Sequence, residues 1–150
     1  MFADIPLPTP AVPPGPDPAA LKQVLVIRRG DIKMRQGKTA AQAAHAAMTS
    51  FIQGCGGRIE TREGQRSLVV PLDDEAFEWL QGAHRKVCVY VPSEEELLAL
   101  HEKARAAGLR CALIRDNGLT EFDGPTYTAV AIGPHRNDLI DPLTGHLPLL

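Results

Sequence analysis

The stretch QVLVIRRGDIKMRQGKTAAQAAHAAMTSFI, residues 23–52, changes character twice. Gln23 to Arg28 is an apolar, β-branched run that reads as a buried strand. Thr39 to Ile52 reads as a helix, because alanine favours helix and Ala40, Ala44, Met48 and Ile52 recur at four-residue spacing on one face. So many small side chains predict that another backbone packs close against this helix. Between strand and helix, residues 28–38 carry five basic side chains (Arg28, Arg29, Lys33, Arg35, Lys38) and one acid, Asp31.

Strand and helix alternate again downstream. Lys86–Val91, Cys111–Ile114 and Thr126–Ile132 read as three further strands. Asp73 is placed to cap a short helix that ends at Gln81 before Gly82, with Phe77 and Trp79 expected to anchor it in the core. Ser93 and Glu96 form a capping box at the head of a helix whose face is Leu97, Leu100, His101, Ala104 and Ala107 and whose stop is Gly108. A last short helix is expected around Asn137–Ile140. Arg58–Thr61 and Arg66–Val70 flank the turn-prone Glu63-Gly64-Gln65 and predict a hairpin. The first three main strands are joined through helical material, which predicts parallel pairs with right-handed crossovers. Only a short Gly/Asp/Asn-rich segment separates the third from the fourth, which is therefore expected to run antiparallel. The fold class is α/β, a three-layer domain on a mixed sheet.

At 150 residues the chain is one domain plus a tail, residues 21–150 and 1–20, with the hairpin segment, about 53–72, set apart. The tail holds seven prolines and is read as extended or disordered, either plainly solvated or a polyproline ligand. The net charge of -2 and pI of about 6.2 exclude a global basic field, so any nucleic-acid contact must rest on a local patch. Three widely spaced cysteines fit neither a disulfide scaffold nor a zinc or redox motif. No apolar run is long enough to span a bilayer and no signal pattern opens the chain, so a cytoplasmic location is expected.

In open α/β sheets, ligands bind beyond the carboxyl ends of the parallel strands. Two loops lie there, Arg29–Lys38 and Arg115–Pro125, and the chemistry is expected where they meet. Gly37-Lys38-Thr39 resembles the end of a phosphate-binding P-loop, but that motif needs a glycine at position 32, which is Ile. What survives is a helix N-terminus flanked by cations. That is either an anion site or a solvated basic loop. Asp116, where the third strand ends, is placed either to cap a turn or to act as a general base. Thr120, Thr126 and Thr128 offer hydroxyls. His45, on the alanine-rich helix, reads as a helix or core histidine.

Taken in order, several segments resemble one family. They are Lys22-Gln23-Val24, Asp31-Ile32-Lys33-Met34, Gly37-Lys38-Thr39-Ala40-Ala41-Gln42 with His45-Ala46-Ala47, and Ser93-Glu94-Glu95-Glu96-Leu97. Leu113-Ile114-Arg115-Asp116, Gly118-Leu119-Thr120-Glu121, Thr126-Tyr127-Thr128, Ala131-Ile132-Gly133-Pro134 and Thr144-Gly145-His146-Leu147 follow. The set is similar to the peptidyl-tRNA hydrolases of the archaeal and eukaryotic type, which also occur in some bacteria. The resemblance implies a three-layer α/β/α sandwich with a four-stranded mixed β-sheet. It implies hydrolysis of the ester joining a peptide to the 3′ end of tRNA, no metal or organic cofactor, tRNA as partner, no membrane, and a possible homodimer. By matching position it implies catalytic roles for Lys33, Asp116, Thr120 and Thr128. Arg28, Arg29, Arg35, Lys38, Gln42 and His45 are then expected at the tRNA. The alternative is a non-catalytic relative of the same fold that binds tRNA or a protein partner. The chain departs from the family's pattern at Ala83-His84, Tyr90, Asn117, Pro142 and Pro148. The changes at Tyr90, Pro142 and Pro148 replace lysines and lower the positive charge of the expected RNA-facing rim.

Overall fold

The computed structural model describes Asp17 and residues 19–150, so the proline-rich tail expected over residues 1–20 lies almost wholly outside the described residues. The described chain runs β1 (Leu21–Arg28), α1 (Gln36–Gly54), β2 (Arg58–Arg62), β3 (Gln65–Val69), α2 (Asp74–Gln81), β4 (Lys86–Val91), α3 (Glu94–Ala106), β5 (Cys111–Asp116), β6 (Thr126–Arg136) and α4 (Asn137–Thr144). The main sheet has the order β4-β1-β6-β5. β1 pairs parallel with β4 and antiparallel with β6, and β5 pairs antiparallel with β6. The second and third main strands of the sequence reading, β4 and β5, therefore do not pair. The long apolar β6 lies between β1 and β5, and β4 and β5 form opposite edges.

Side chains alternate between the two faces of the sheet. Val24, Val26, Val130 and Ile132 meet Leu97, Leu100 and Ala104 of α3 and Ile140 of α4 on one face. Leu25, Ile27, Ala129 and Ala131 meet Ala46 of α1 on the other. α2 joins α1's side, where the Trp79 ring lies 5.5 Å from that of Phe51 and its indole N–H donates to the Arg85 carbonyl. The result is the three-layer α/β/α sandwich expected. Both helix caps form as the sequence implies: the Ala76 N–H donates to Asp73 and the Glu96 N–H to Ser93. Phe77, in contrast, is 54% exposed rather than anchored in the core.

Helix α1 begins three residues earlier than expected and turns a different face inward. The buried residues are Gln42, Ala46 and Ser50, whereas Ala40, Ala44 and Met48 are exposed. With six alanines between Ala40 and Ala47, this part of the helix has little hydrophobic contrast from face to face, so polar partners select the buried one. The Ser50 hydroxyl donates to the Gly133 carbonyl at 2.8 Å, and Gln42 is bonded at both ends of its amide. The close backbone approach is present, with Ala46 fully buried against a sheet face that carries Ala129 and Ala131. β2 and β3 form the expected hairpin as a separate two-stranded sheet.

Because no room remains between α1 and the alanines of β6, Ala46→Leu should destabilise the fold by about 1–3 kcal/mol. Ala44→Leu, on the exposed face, should stay within about 0.5 kcal/mol of wild type. Urea unfolding midpoints of the two variants check both values.

Candidate active site

The first loop is fixed at its root by Arg28. This side chain is buried, and its guanidinium forks onto Asp31 at 2.8 and 3.0 Å while a third contact reaches Glu94 at 2.6 Å. Hydrogen bonding to Arg28 holds the Asp31 carboxyl below the usual carboxylate range. The neighbouring Gly30 lets the chain run against Pro92, since a Cβ there would lie 2.6 Å from the Pro92 carbonyl oxygen. The loop then delivers α1, whose first turn carries Lys38 and whose second carries Gln42. At four-residue spacing both face the carboxyl end of β5.

The second loop folds back on itself at Gly118, which has a positive φ of 75° and no space for a Cβ beside Gly124. That turn points the Gly118 N–H at Asp116 Oδ1, 2.9 Å away. Lys38 Nζ donates to Asp116 Oδ2 at 2.5 Å and to Thr120 Oγ1 at 3.0 Å. Gln42 Nε2 donates to the same Oδ2 at 3.1 Å, and the fully buried Thr128 hydroxyl donates to Gln42 Oε1 at 2.5 Å. The two loops are also joined at the surface, where Glu121 accepts the Arg35 backbone N–H at 3.2 Å and faces its guanidinium at 3.7 Å. The Lys38 ammonium further lies 5.6 Å from the Phe122 ring centroid.

The electrostatics follow from these contacts. Lys38, then the Gly118 N–H, hold the Asp116 carboxyl below the usual carboxylate range, so it is an anion at neutral pH. The Lys38 and Asp116 side chains are only 14% and 12% exposed, which strengthens their attraction relative to a surface pair. An ammonium has three N–H donors, and Asp116 and Thr120 occupy two of them. The third is available to an oxygen that acquires negative charge. Thr120 accepts from Lys38 and so keeps its own O–H to donate.

The two loops meet as the strand connections imply, and Asp116 and Thr120 stand at the junction. The lysine there is Lys38. Lys33 is exposed and makes no hydrogen bond or ion pair among the described residues. The difference is geometric: Lys33 lies in the loop before α1, whereas Lys38 shares a helix face with Gln42. Lys38, expected at the tRNA, is bonded here to Asp116. The Arg28 guanidinium, also expected at the tRNA, is paired with Asp31 and Glu94. Gln42 is buried between Asp116 and Thr128 rather than open to a ligand, and Thr128 reaches Asp116 only through it. Arg29, Arg35 and His45 are exposed. Glu121 and Phe122 escaped the sequence reading of roles, since nothing in a loop sequence marks which side chain reaches across to another loop.

A family model described as peptidyl-tRNA hydrolase PTH2 matches residues 21–150. This chain belongs to that family. Among its relatives is the peptidyl-tRNA hydrolase of Methanocaldococcus jannaschii, 42% identical over 130 residues, which cover 87% of this chain and all of that protein. The peptidyl-tRNA hydrolase of Methanopyrus kandleri is 42% identical over 129 residues, 86% of this chain and 97% of the other. The human protein named peptidyl-tRNA hydrolase 2, mitochondrial, is 38% identical over 133 residues, 89% of this chain and 66% of its own length. Among the described residues no helix is long and apolar enough to cross a membrane.

The depressed carboxyl of Asp116 has a consequence for stability. Its ionised form is favoured by folding, so its contribution is complete above the unfolded carboxylate value of about 3.9 and is lost as pH falls through the lower folded value. Asp116→Asn should therefore destabilise the protein at pH 7, and the deficit should shrink only below about pH 4. Urea unfolding of both proteins from pH 7 down to pH 2 measures it.

Proposed function

We propose that this chain hydrolyses the ester between a peptide and the 3′ end of tRNA, with Asp116, Lys38 and Thr120 as its catalytic groups. The observation that carries this reading is the cluster in which one half-buried ammonium binds both the Asp116 carboxylate and the Thr120 hydroxyl at the junction of the two loops. Family membership supplies the reaction class, and the cluster supplies groups suited to it.

The reaction proceeds by addition of water to the ester carbonyl. Among the described residues one Asp116 carboxylate oxygen accepts only the Gly118 N–H, and this oxygen takes a hydrogen bond from the attacking water. The Thr120 hydroxyl orients the same water. As the water oxygen bonds to carbon, the carbonyl electron pair moves to oxygen, and the free N–H of Lys38 stabilises that oxyanion. The carbonyl then re-forms, the bond to the ribose oxygen breaks, that oxygen takes one of the attacking water's two protons, and the other is released to solvent. The products are a peptide carboxylate and a tRNA with a free 3′ end. Because its carboxyl lies below the usual range, Asp116 is a weak base, and its principal effect is to orient the water and to hold Lys38 in place. Gln42 and Thr128 are positioning residues that fix the other carboxylate oxygen.

On this reading the tRNA is held by few charges. Arg29 and Arg35 are exposed beside the site and contact phosphates, with His45 on the adjoining face of α1. Residues 21–150 act as a single hydrolase domain carrying the β2–β3 hairpin as an insert. A cytoplasmic location accords with the three free cysteines. A homodimer accords with the uncovered Met48 and Phe77, 64% and 54% exposed.

The test is release of free tRNA from an N-acetylated aminoacyl-tRNA. Lys38→Ala and Asp116→Ala should each lower kcat by about 10²–10³, and Lys33→Ala should stay close to wild type. A folded wild-type protein that binds tRNA without turnover would overturn the reading in favour of a non-catalytic tRNA-binding relative. Arg29→Ala should reduce the slope of log affinity against log salt by about 0.7–0.9 if it meets one phosphate. Titrations at several salt concentrations give that slope.

A further inference from the structure

Helix α1 is poorly started by its own sequence. Among the four described helices it alone has neither a side-chain cap nor an acidic residue in its first turn. Its N-cap is Arg35, whose carbonyl accepts the first helical bond from the Thr39 N–H at 2.9 Å. The third helical position after that cap is Lys38. A capping box puts Ser or Thr at the N-cap and Glu or Gln at the third position, and the latter reaches back to the N-cap N–H. Here both positions carry cations, which the positive end of the helix dipole disfavours. Lys38 cannot close the turn, because an ammonium has only donors and its own are directed at Asp116 and Thr120.

The second loop supplies what the helix lacks. Glu121 Oε2 accepts the Arg35 N–H at 3.2 Å, which is the bond that a glutamate at position 38 would make in a capping box. Its other oxygen faces the Arg35 guanidinium at 3.7 Å. The Glu121 side chain is 19% exposed and that of Arg35 is 89% exposed. The carboxylate is thus the fixed member of the pair, and the backbone N–H is its closer partner. The residue before it, Thr120, accepts from Lys38 Nζ at 3.0 Å. Two adjacent residues of one loop therefore grip the first turn of α1, one at its backbone and one at the ammonium of the cluster.

We infer that Glu121 is a positioning residue: it closes the N-terminus of α1 from another part of the chain and so holds Lys38 on Asp116 and Thr120. Its effect on rate rests on the hydrolase reading, whereas its hold on the helix does not.

Two measurements on Glu121→Ala and Glu121→Gln test it. The first needs no turnover and follows amide hydrogen exchange by NMR. In Glu121→Ala the Thr39 N–H should exchange about fivefold or more faster, the usual worth of a helix cap. The Ala46 N–H, deeper in the same helix, should be unchanged. Glu121→Gln keeps an oxygen for the Arg35 N–H and should restore most of the protection. The second is hydrolysis of an N-acetylated aminoacyl-tRNA. Glu121→Ala should lower kcat by about tenfold or more, since a misplacement of about 1 Å can cost about 10². KM should not rise, because Arg35 stays available to a phosphate. In a Lys38→Ala background the same substitution should change kcat by less than about twofold, because a residue that acts through Lys38 has nothing left to position. Unchanged Thr39 exchange in Glu121→Ala, or equal losses of kcat with and without Lys38, would overturn the assignment. Faster exchange at Ala46 together with Thr39 would show a general loss of structure and overturn it as well. If the folded wild type does not hydrolyse the ester, faster exchange confined to the first turn in Glu121→Ala would leave the cap assigned and count against the hydrolase reading alone.

Discussion

The ion pair between Lys38 and Asp116 joins the first turn of α1 to the last residue of β5. The two groups come from chain segments 78 residues apart. They meet because β6 is inserted between β1 and β5, and because α1 then crosses from the end of β1 to lie against β5 and β6. The alanines of α1 and β6 permit that crossing at short range. A bulkier pair of surfaces would lift the helix and with it the lysine. The packing of small residues in the core and the geometry of the candidate site are thus one constraint.

Polar contacts beneath the pair make its geometry specific. Asp116 is bonded on one oxygen by Lys38 and Gln42 and on the other by the Gly118 N–H. Thr128, with no solvent exposure, fixes the Gln42 amide from below. A buried amide held in this way has one sensible orientation. The site is rigid where the fold reaches it and open only toward the loops. The five cations of residues 28–38 divide accordingly: Arg28 and Lys38 are consumed by internal carboxylates, Arg35 faces Glu121, and Arg29 and Lys33 make no ion pair among the described residues. A loop that looks uniformly basic in sequence is mostly a set of structural ion pairs.

The strands, both cap motifs and the meeting of the two loops were legible in the sequence, because each depends on local pattern and on connection length. The inward face of α1 was not. With alanine on nearly every side, only Gln42 and Ser50 mark that face, and both are polar residues that a hydrophobic pattern assigns to solvent. The choice between Lys33 and Lys38 was equally hidden, since it turns on where the helix begins, and it begins at Gln36. Arg28 read as a phosphate contact because its partners Asp31 and Glu94 come together only once β4 has delivered α3 beside β1.

On the proposed function, Lys38 and Asp116 act as one unit in the reaction. Comparing kcat of wild type, Lys38→Ala, Asp116→Ala and the double variant on one N-acetylated aminoacyl-tRNA tests it directly. The double variant should be little slower than the worse single variant, because residues that act together lose their effect together. Losses that multiply would show two independent groups and contradict it.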